Sequence, residues 1–294
     1  VIEFETGNVL IGSVSRLYMS NKCLLIADHK SVDKQIHIFN KNDFSYLTSI
    51  GNFGEGPEEI TVMGCLAIDE AHHQLYVSDH AKQKIFSYDM DSVMVDSLYK
   101  PQVKTAMNET LFPSEYQYIN DTLSIAVLIK PTSTSTFNQF LGRWNMNTGE
   151  MIPMKYTHPD IQKKRITFAA SEKAGIYVEC YTRHDLMTIC SLDGELLYNI
   201  YGPDWDGGNG NKLQSFGTVM IGNDKIFVSY CGEDYARDSF PTKILVFDLE
   251  GNYLKTLETG YKISDCCYDS FNNRIILSLN DVVQFAYLDI DGII

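Results

Sequence analysis

The chain has 294 residues, 44% of them apolar and 21% charged, with 24 basic against 38 acidic side chains and a formal charge of −14. A chain of this length buries roughly three quarters of its unfolded surface without help from disulfides or metal, and its composition excludes a disordered or fibrous protein. Its longest apolar runs, such as Ile125 to Ile129, are five residues, which excludes a membrane-spanning helix, and its acidic balance argues against a nucleic-acid partner, which needs clustered Lys and Arg.

In chain order, an extended segment, Val1-Ile-Glu-Phe-Glu5, comes first, and an inner strand near Val14 to Tyr18 follows. From there a short β-branched run recurs: Leu24–Asp28, Leu75–Asp79, Leu123–Val127, Ile176–Cys180, Ile226–Tyr230 and Ile275–Leu279. The starts lie 51, 48, 53, 50 and 49 residues apart. Each run is preceded by one strand-like segment, as at Cys65–Ile68, and followed by another, as at Ile36–Phe39, Ile85–Tyr88, Leu186–Ile189 and Ile244–Phe247. Turns such as Asp248-Leu-Glu-Gly251 come next, where Asp binds nearby backbone and Gly accepts positive φ. A last strand closes the unit, as at Tyr46–Ile50 or Leu196–Ile200. Units of four strands over 40 to 50 residues are propeller blades, and no amphipathic helix of useful length interrupts them.

The expectation is therefore an all-β, six-bladed β-propeller forming one domain over residues 1–294. The sixth unit runs out at Asp289–Ile294 after its third strand, so Val1–Glu5 is predicted to supply the missing fourth strand and close the ring. A β-sandwich would show uneven spacing and no such deficit.

Connections between successive units and within the middle of each are long: 51–63, 99–112, 130–138, 154–164, 202–214 and 231–242. In a blade these emerge on one side, so binding residues are expected on that face. The loops there present Asp204-Trp205-Asp206-Gly-Gly-Asn209-Gly-Asn211, with Tyr235 and Arg237 beyond. A Trp beside carboxylates suits a sugar face or a cation, and equally caps a neighbouring blade. The Asp204/Asp206 pair lacks the glycine and bidentate glutamate positions of a calcium loop. Inner strands place Arg16, Glu115, Arg165, Lys262 and Asp265 near the channel, as a polar ligand site or as charges that pair with one another.

The seven cysteines form no C-x-x-C pair and sit in apolar runs, as small buried hydrophobes do. His29 and His80 follow Asp28 and Asp79 at equivalent repeat positions, which points to a shared turn role; His158 and His184 fall on the loop face without a visible cluster. No converging set of three or four metal ligands, and no G-x-S-x-G, P-loop or H-E-x-x-H motif, is present. No catalytic residue, cofactor or metal is assigned. The chain starts at Val1 without an initiator Met or a leader, as a mature or trimmed chain would.

Gly51-Asn-Phe-Gly54-Glu-Gly56-Pro57-Glu58-Glu59-Ile60, together with Leu75-Tyr-Val-Ser-Asp79-His-Ala-Lys-Gln-Lys-Ile-Phe86, resembles the NHL-type repeat and, more closely, the TolB-like six-bladed propellers of Bacteroidetes. The fuller motif covers the first two units; Val127, Cys180, Tyr230 and Leu279 replace the Asp later. The resemblance implies export, often as a lipoprotein in the periplasm or at the outer membrane, and mostly no known activity. Some propellers of this shape are lactonases or lyases, but their clusters have no counterparts here. The expected function is a monomeric binding or scaffold module recognising a protein, peptide or glycan on the long-loop face. The alternative is a hydrolase or lyase at the channel mouth.

Overall fold

The computed structural model describes residues 1–210 and 212–294; Asn211, part of the Trp205 loop singled out above, lies outside the described residues. Strand β1 is Ile2–Glu3. Blade 1 holds β2 (Ser15–Met19), β3 (Cys23–Asp28), β4 (Lys34–Asn40) and β5 (Tyr46–Asn52). Blade 2 holds β6 (Met63–Asp69), β7 (Gln74–Asp79), β8 (Lys84–Asp89) and β9 (Gln102–Ala106), with helix α1 (Met90–Val95) before the last. Blade 3 holds β10 (Phe112–Asn120), β11 (Leu123–Pro131), β12 (Phe137–Trp144) and β13 (Met151–Pro153).

Blade 4 holds β14 (Ile166–Ser171), β15 (Ile176–Tyr181), β16 (Leu186–Ser191) and β17 (Leu196–Tyr201). Blade 5 holds β18 (Leu213–Gly222), β19 (Lys225–Asp234), β20 (Lys243–Asp248) and β21 (Tyr253–Glu258). Blade 6 holds β22 (Ile263–Asp269), β23 (Arg274–Leu279) and β24 (Phe285–Asp289). Its fourth strand is β1, which pairs antiparallel with β24 through Ile2–Tyr287 and Glu3–Ala286. The fold is a six-bladed β-propeller, closed by its first strand as the missing sixth-unit strand predicted.

Contacts divide the chain into two units. Blades 1 to 3 form one (Thr6–Pro153), and blades 4 to 6 form the other (Met154–Ile294 with Val1–Glu5). All six recurring runs become the second strand of a blade. Those strands read as continuous apolar runs because both of their faces are covered: β3, β15 and β23 are buried at all six positions. The core of each unit lies between neighbouring blades. Leu25 and Ile38 of blade 1 meet Leu66, Val77 and Phe86 of blade 2, and Val178 and Ile189 of blade 4 meet Val228 and Phe247 of blade 5. Each such side chain contributes about 1.5–3 kcal/mol by leaving water. Broad rings fill the same layer, as where Phe227 stacks on Tyr268 at 4.9 Å.

Several segments differ from expectation. Parts of the expected loops are strand: β11 and β12 continue through Lys130–Pro131 and Phe137–Asn138, and β19 through Cys231–Asp234. The 99–112 connection contains β9, an outer strand whose residues are exposed or half-buried and therefore lack an apolar signature. The turn after Tyr88 is a single helical turn, α1, nucleated by Asp89, whose side chain accepts from Ser92 N–H at 2.8 Å.

The aspartates that end the first two recurring runs hold loops. Asp79, fully buried, accepts from the N–H groups of Thr61 (2.8 Å) and Val62 (3.2 Å), and Asp28 accepts from Gly12 N–H at 2.8 Å. The spacing predicted a shared turn role for the next residues, but each ring instead reaches the following blade, by a different contact. His29 Nε2 lies 3.1 Å from Gly64 O on the inner strand of blade 2, and the His80 ring packs edge-on to Phe112 of blade 3 at 4.9 Å. All seven cysteines are buried free thiols.

Candidate functional site

In the second unit, three loops meet at one end of blade 4. They are 156–165, entering β14; 182–185, joining β15 to β16; and 202–210, leaving β17. Loop 202–210 is anchored by buried Asp185, whose Oδ2 accepts from Asp204 N–H at 2.9 Å while its Oδ1 accepts from the Tyr230 hydroxyl at 3.1 Å. The loop then wraps around its own carboxylate: Asp206 accepts from Gly208 N–H (3.1 Å) and Gly210 N–H (2.5 Å). Gly208 adopts φ +96° against the backbone carbonyl of Asp160, a conformation and a closeness that no Cβ tolerates.

Trp205 is half-buried, its ring 5.0 Å from Tyr201, 5.4 Å from His158 and 6.0 Å from His184. The two loop-face histidines, dispersed in sequence, are thus gathered on one indole. His158 Nδ1 accepts from Asp160 N–H at 3.2 Å, which leaves Nε2–H to donate to the Tyr201 hydroxyl at 2.9 Å. Burial pulls the pKa of both histidines below the ordinary value, so both are neutral near pH 7. The His184 side chain is only 6% exposed, and its Nδ1 is buried without a hydrogen-bond partner among the described residues, 3.9 Å from Asp206 Oδ1.

Next to this aromatic cluster, and sharing His184 with it, is a cavity of about 480 Å³ lined by Lys163, Arg165, Arg183, His184, Asp160, Gln162 and the 207–210 glycine loop. Alternation along the extended approach to β14 sorts its three basic residues. Lys164 turns inward to a buried ion pair with Glu179 at 2.6 Å, whereas Lys163 and Arg165 line the cavity. Arg165 donates to Lys164 O at 2.7 Å, and burial lowers its pKa from the usual guanidinium value. The Arg183 guanidinium lies over the Tyr235 ring, 3.0 Å from its centre, and makes no ion pair among the described residues.

The sequence-predicted residues separate accordingly. Arg165 is cavity wall, Asp206 organises the loop that lines it, Tyr235 lies under the Arg183 guanidinium, and Trp205 packs behind His184. Asp204 joins through its backbone. Arg237 stands aside, paired with Glu233 at 3.0 Å. Arg16 and Glu115, on β2 and β10 of the first unit, pair with each other at 2.7 Å. Asp265, on β22, accepts from the Thr218 hydroxyl at 2.8 Å, and exposed Lys262 donates its N–H to Asp281 at 3.3 Å. Lys163, Arg183 and the clustering of His184 were not foreseen; the Lys163-x-Arg165 alternation was the available signal.

The first unit contains a cavity of about 510 Å³ of different character, walled by Leu25, Leu47, Leu75, Met90 and Met94 together with Lys22, Asp69, Glu70 and Asp91. Asp69, His72 and Asp121 also approach one another there, with His72 Nδ1 at 2.8 Å from Asp69 and 3.7 Å from Asp121. Their oxygens are engaged by Tyr76 and Tyr118 hydroxyls, both at 2.7 Å. Asp69 also accepts from His72 N–H to tie its turn, as Asp269 does from Asn272 N–H in blade 6. The arrangement is that of a turn clasp.

Comparison with known proteins agrees with this architecture. Residues 1–140 match the family DUF5128, described as a 6-bladed β-propeller. Among solved structures, a Bacteroides fragilis protein assigned as exported aligns at TM-score 0.62 with 14% identity, over 95% of this chain and 83% of that one. A DUF4221 family member from Bacteroides vulgatus aligns at 0.60 with 10% identity, over 98% and 96%. The Cps50 (Swd1) propeller domain of Myceliophteria thermophila aligns at 0.51 with 9% identity, over 96% and 98%. Identities this low establish the shared fold alone. No curated protein matches the chain.

Proposed function

We propose that the protein is a binding module of the bacterial cell envelope that recognises a protein, peptide or glycan through the blade 4 loops. The observation that carries this reading is the cavity in which basic side chains converge from loops anchored on rigid strands, with the Trp205 cluster beside it through His184. The export assigned to the Bacteroides fragilis neighbour supports an envelope location, and the TolB- and NHL-like motif of the first two units supports a lipoprotein anchor. The protein acts as a monomer, its two units making one domain; a single calorimetric unfolding transition is the expected result for that domain.

The test is binding to peptide and polysaccharide arrays by the wild-type chain and by a Trp205→Ala/Tyr235→Ala variant shown to be folded by circular dichroism. At least one ligand class should bind the wild type and be lost from the variant. Unchanged binding in the variant would place recognition elsewhere.

A further inference from the structure

The charge of the blade 4 cavity is opposite to that of the molecule. In a chain carrying −14, three cations (Lys163, Arg165, Arg183) line one cavity against a single carboxylate, Asp160. Neither Lys163 nor Arg183 has a carboxylate partner among the described residues, whereas Arg16, Lys164, Arg237 and Lys155 each do. Asp206 of the adjacent loop is directed to Gly208 and Gly210 N–H and makes no ion pair with these cations among the described residues. Arg183 is pre-oriented by Tyr235, and the buried His184 ring forms part of the cavity wall. The volume, about 480 Å³, falls in the small-molecule range and exceeds what a bare ion fills.

We propose that this cavity binds an oxyanion, the phosphate or sulfate group of a small polar ester, between Lys163, Arg165 and Arg183. The inference rests on the loop-face reading above and adds the chemistry of what is held. A tetrahedral oxyanion offers acceptors in several directions, which matches cations arriving from separate loops, and Arg183 supplies the bidentate edge that such groups take.

Isothermal titration calorimetry with inorganic phosphate, inorganic sulfate and acetate tests it. Glucose 6-phosphate and glucose 6-sulfate serve as the two ester arms. Phosphate and sulfate should bind at least tenfold more tightly than acetate and weaken as salt rises. Lys163→Gln and Arg183→Gln should each weaken binding about tenfold. Lys173→Gln, in the β14–β15 turn at the far end of the same strand pair, should leave it unchanged. Exposed Lys163 keeps the test valid should Arg183→Gln fail to fold.

The ester that binds more tightly than its parent ion identifies the source. Absence of heat with either ion, equal binding of acetate, equal loss in Lys173→Gln, or no gain from either ester would overturn the proposal. If the oxyanions fail while array ligands still depend on Trp205 and Tyr235, the anion assignment falls and the binding face stands. If oxyanions bind while array ligands ignore that variant, the binding face falls and the anion site stands.

Discussion

The two units use the same blade to make two kinds of concavity. In the first unit the cavity combines Leu25, Leu47, Leu75 and two methionines with a lining in which the carboxylates of Asp69, Glu70 and Asp91 outnumber Lys22, and the inner-strand charges Arg16 and Glu115 neutralise each other at 2.7 Å. In the second, a cavity of similar volume gathers Lys163, Arg165 and Arg183 around a neutral histidine. The strands of both are dictated by the same alternation and the same buried runs, so the difference comes from the loops. A repeat fixes where loops emerge; side chains with no role in the core then determine what the loops can hold.

The largest expected effect separates neighbouring lysines at the cationic cavity. Lys164→Met strands buried Glu179 without its counter-charge and should cost about 3–5 kcal/mol in a urea titration. Lys163→Met, one residue earlier and exposed, should stay within about 0.5 kcal/mol of wild type. Similar losses for the two would erase the inward–outward sorting on which the site depends.

Next comes the anchor of the Trp205 loop. Asp185→Ala leaves Asp204 N–H and the Tyr230 hydroxyl without their acceptor and should cost about 1–3 kcal/mol. It should also shift tryptophan emission to the red, because Trp205 is half-buried on this loop while Trp144 is 2% exposed in the first unit. An unshifted spectrum would mean that Asp185 does not position the loop.

Acid should then act on both units through their buried histidines. His29, His37, His80, His158 and His184 all have pKa values lowered chiefly by burial, so the unfolded chain binds protons more readily than the native one below the ordinary value of 6.5. Their contribution is complete above pH 6.5 and is lost as pH falls through that value toward the depressed native pKa values. Exposed His72, raised by Asp69, contributes in the opposite sense. Thermal melts should give a lower Tm at pH 5.5 than at pH 7.5, and an equal or higher Tm at pH 5.5 would contradict the neutral-histidine assignment.

The smallest effect belongs to the first unit's paired charges. Arg16 and Glu115 are 39% and 42% exposed, so a double-mutant cycle with Arg16→Gln and Glu115→Gln should return a coupling of at most about 1 kcal/mol.

The architecture was legible because it is written in short-range pattern. Runs such as Leu24–Asp28 and Ile275–Leu279 announce buried strands by composition alone, and the one-strand deficit after Asp289 predicts the β1–β24 pairing. Strand β9 escaped because Gln102-Val-Lys-Thr-Ala106 lies half in water and carries no apolar alternation. The site was legible only in part. Trp205 and Tyr235 stand out as large rings in polar loops, but the indole packs against His158 and His184 rather than standing as an exposed platform. Lys163 and Arg183 look like ordinary surface charges in sequence. Only the meeting of loops 20 residues apart makes them neighbours of one cavity.

The most direct test of the central claim is a map of amide chemical-shift changes as inorganic phosphate is titrated into the isotope-labelled protein. The account predicts shifts concentrated at 160–165, 183–184 and 206–210, with the amides around Leu25, Leu75 and Met94 of the first unit unmoved. Shifts centred on that first-unit cavity, or scattered over the surface without saturation, would contradict it.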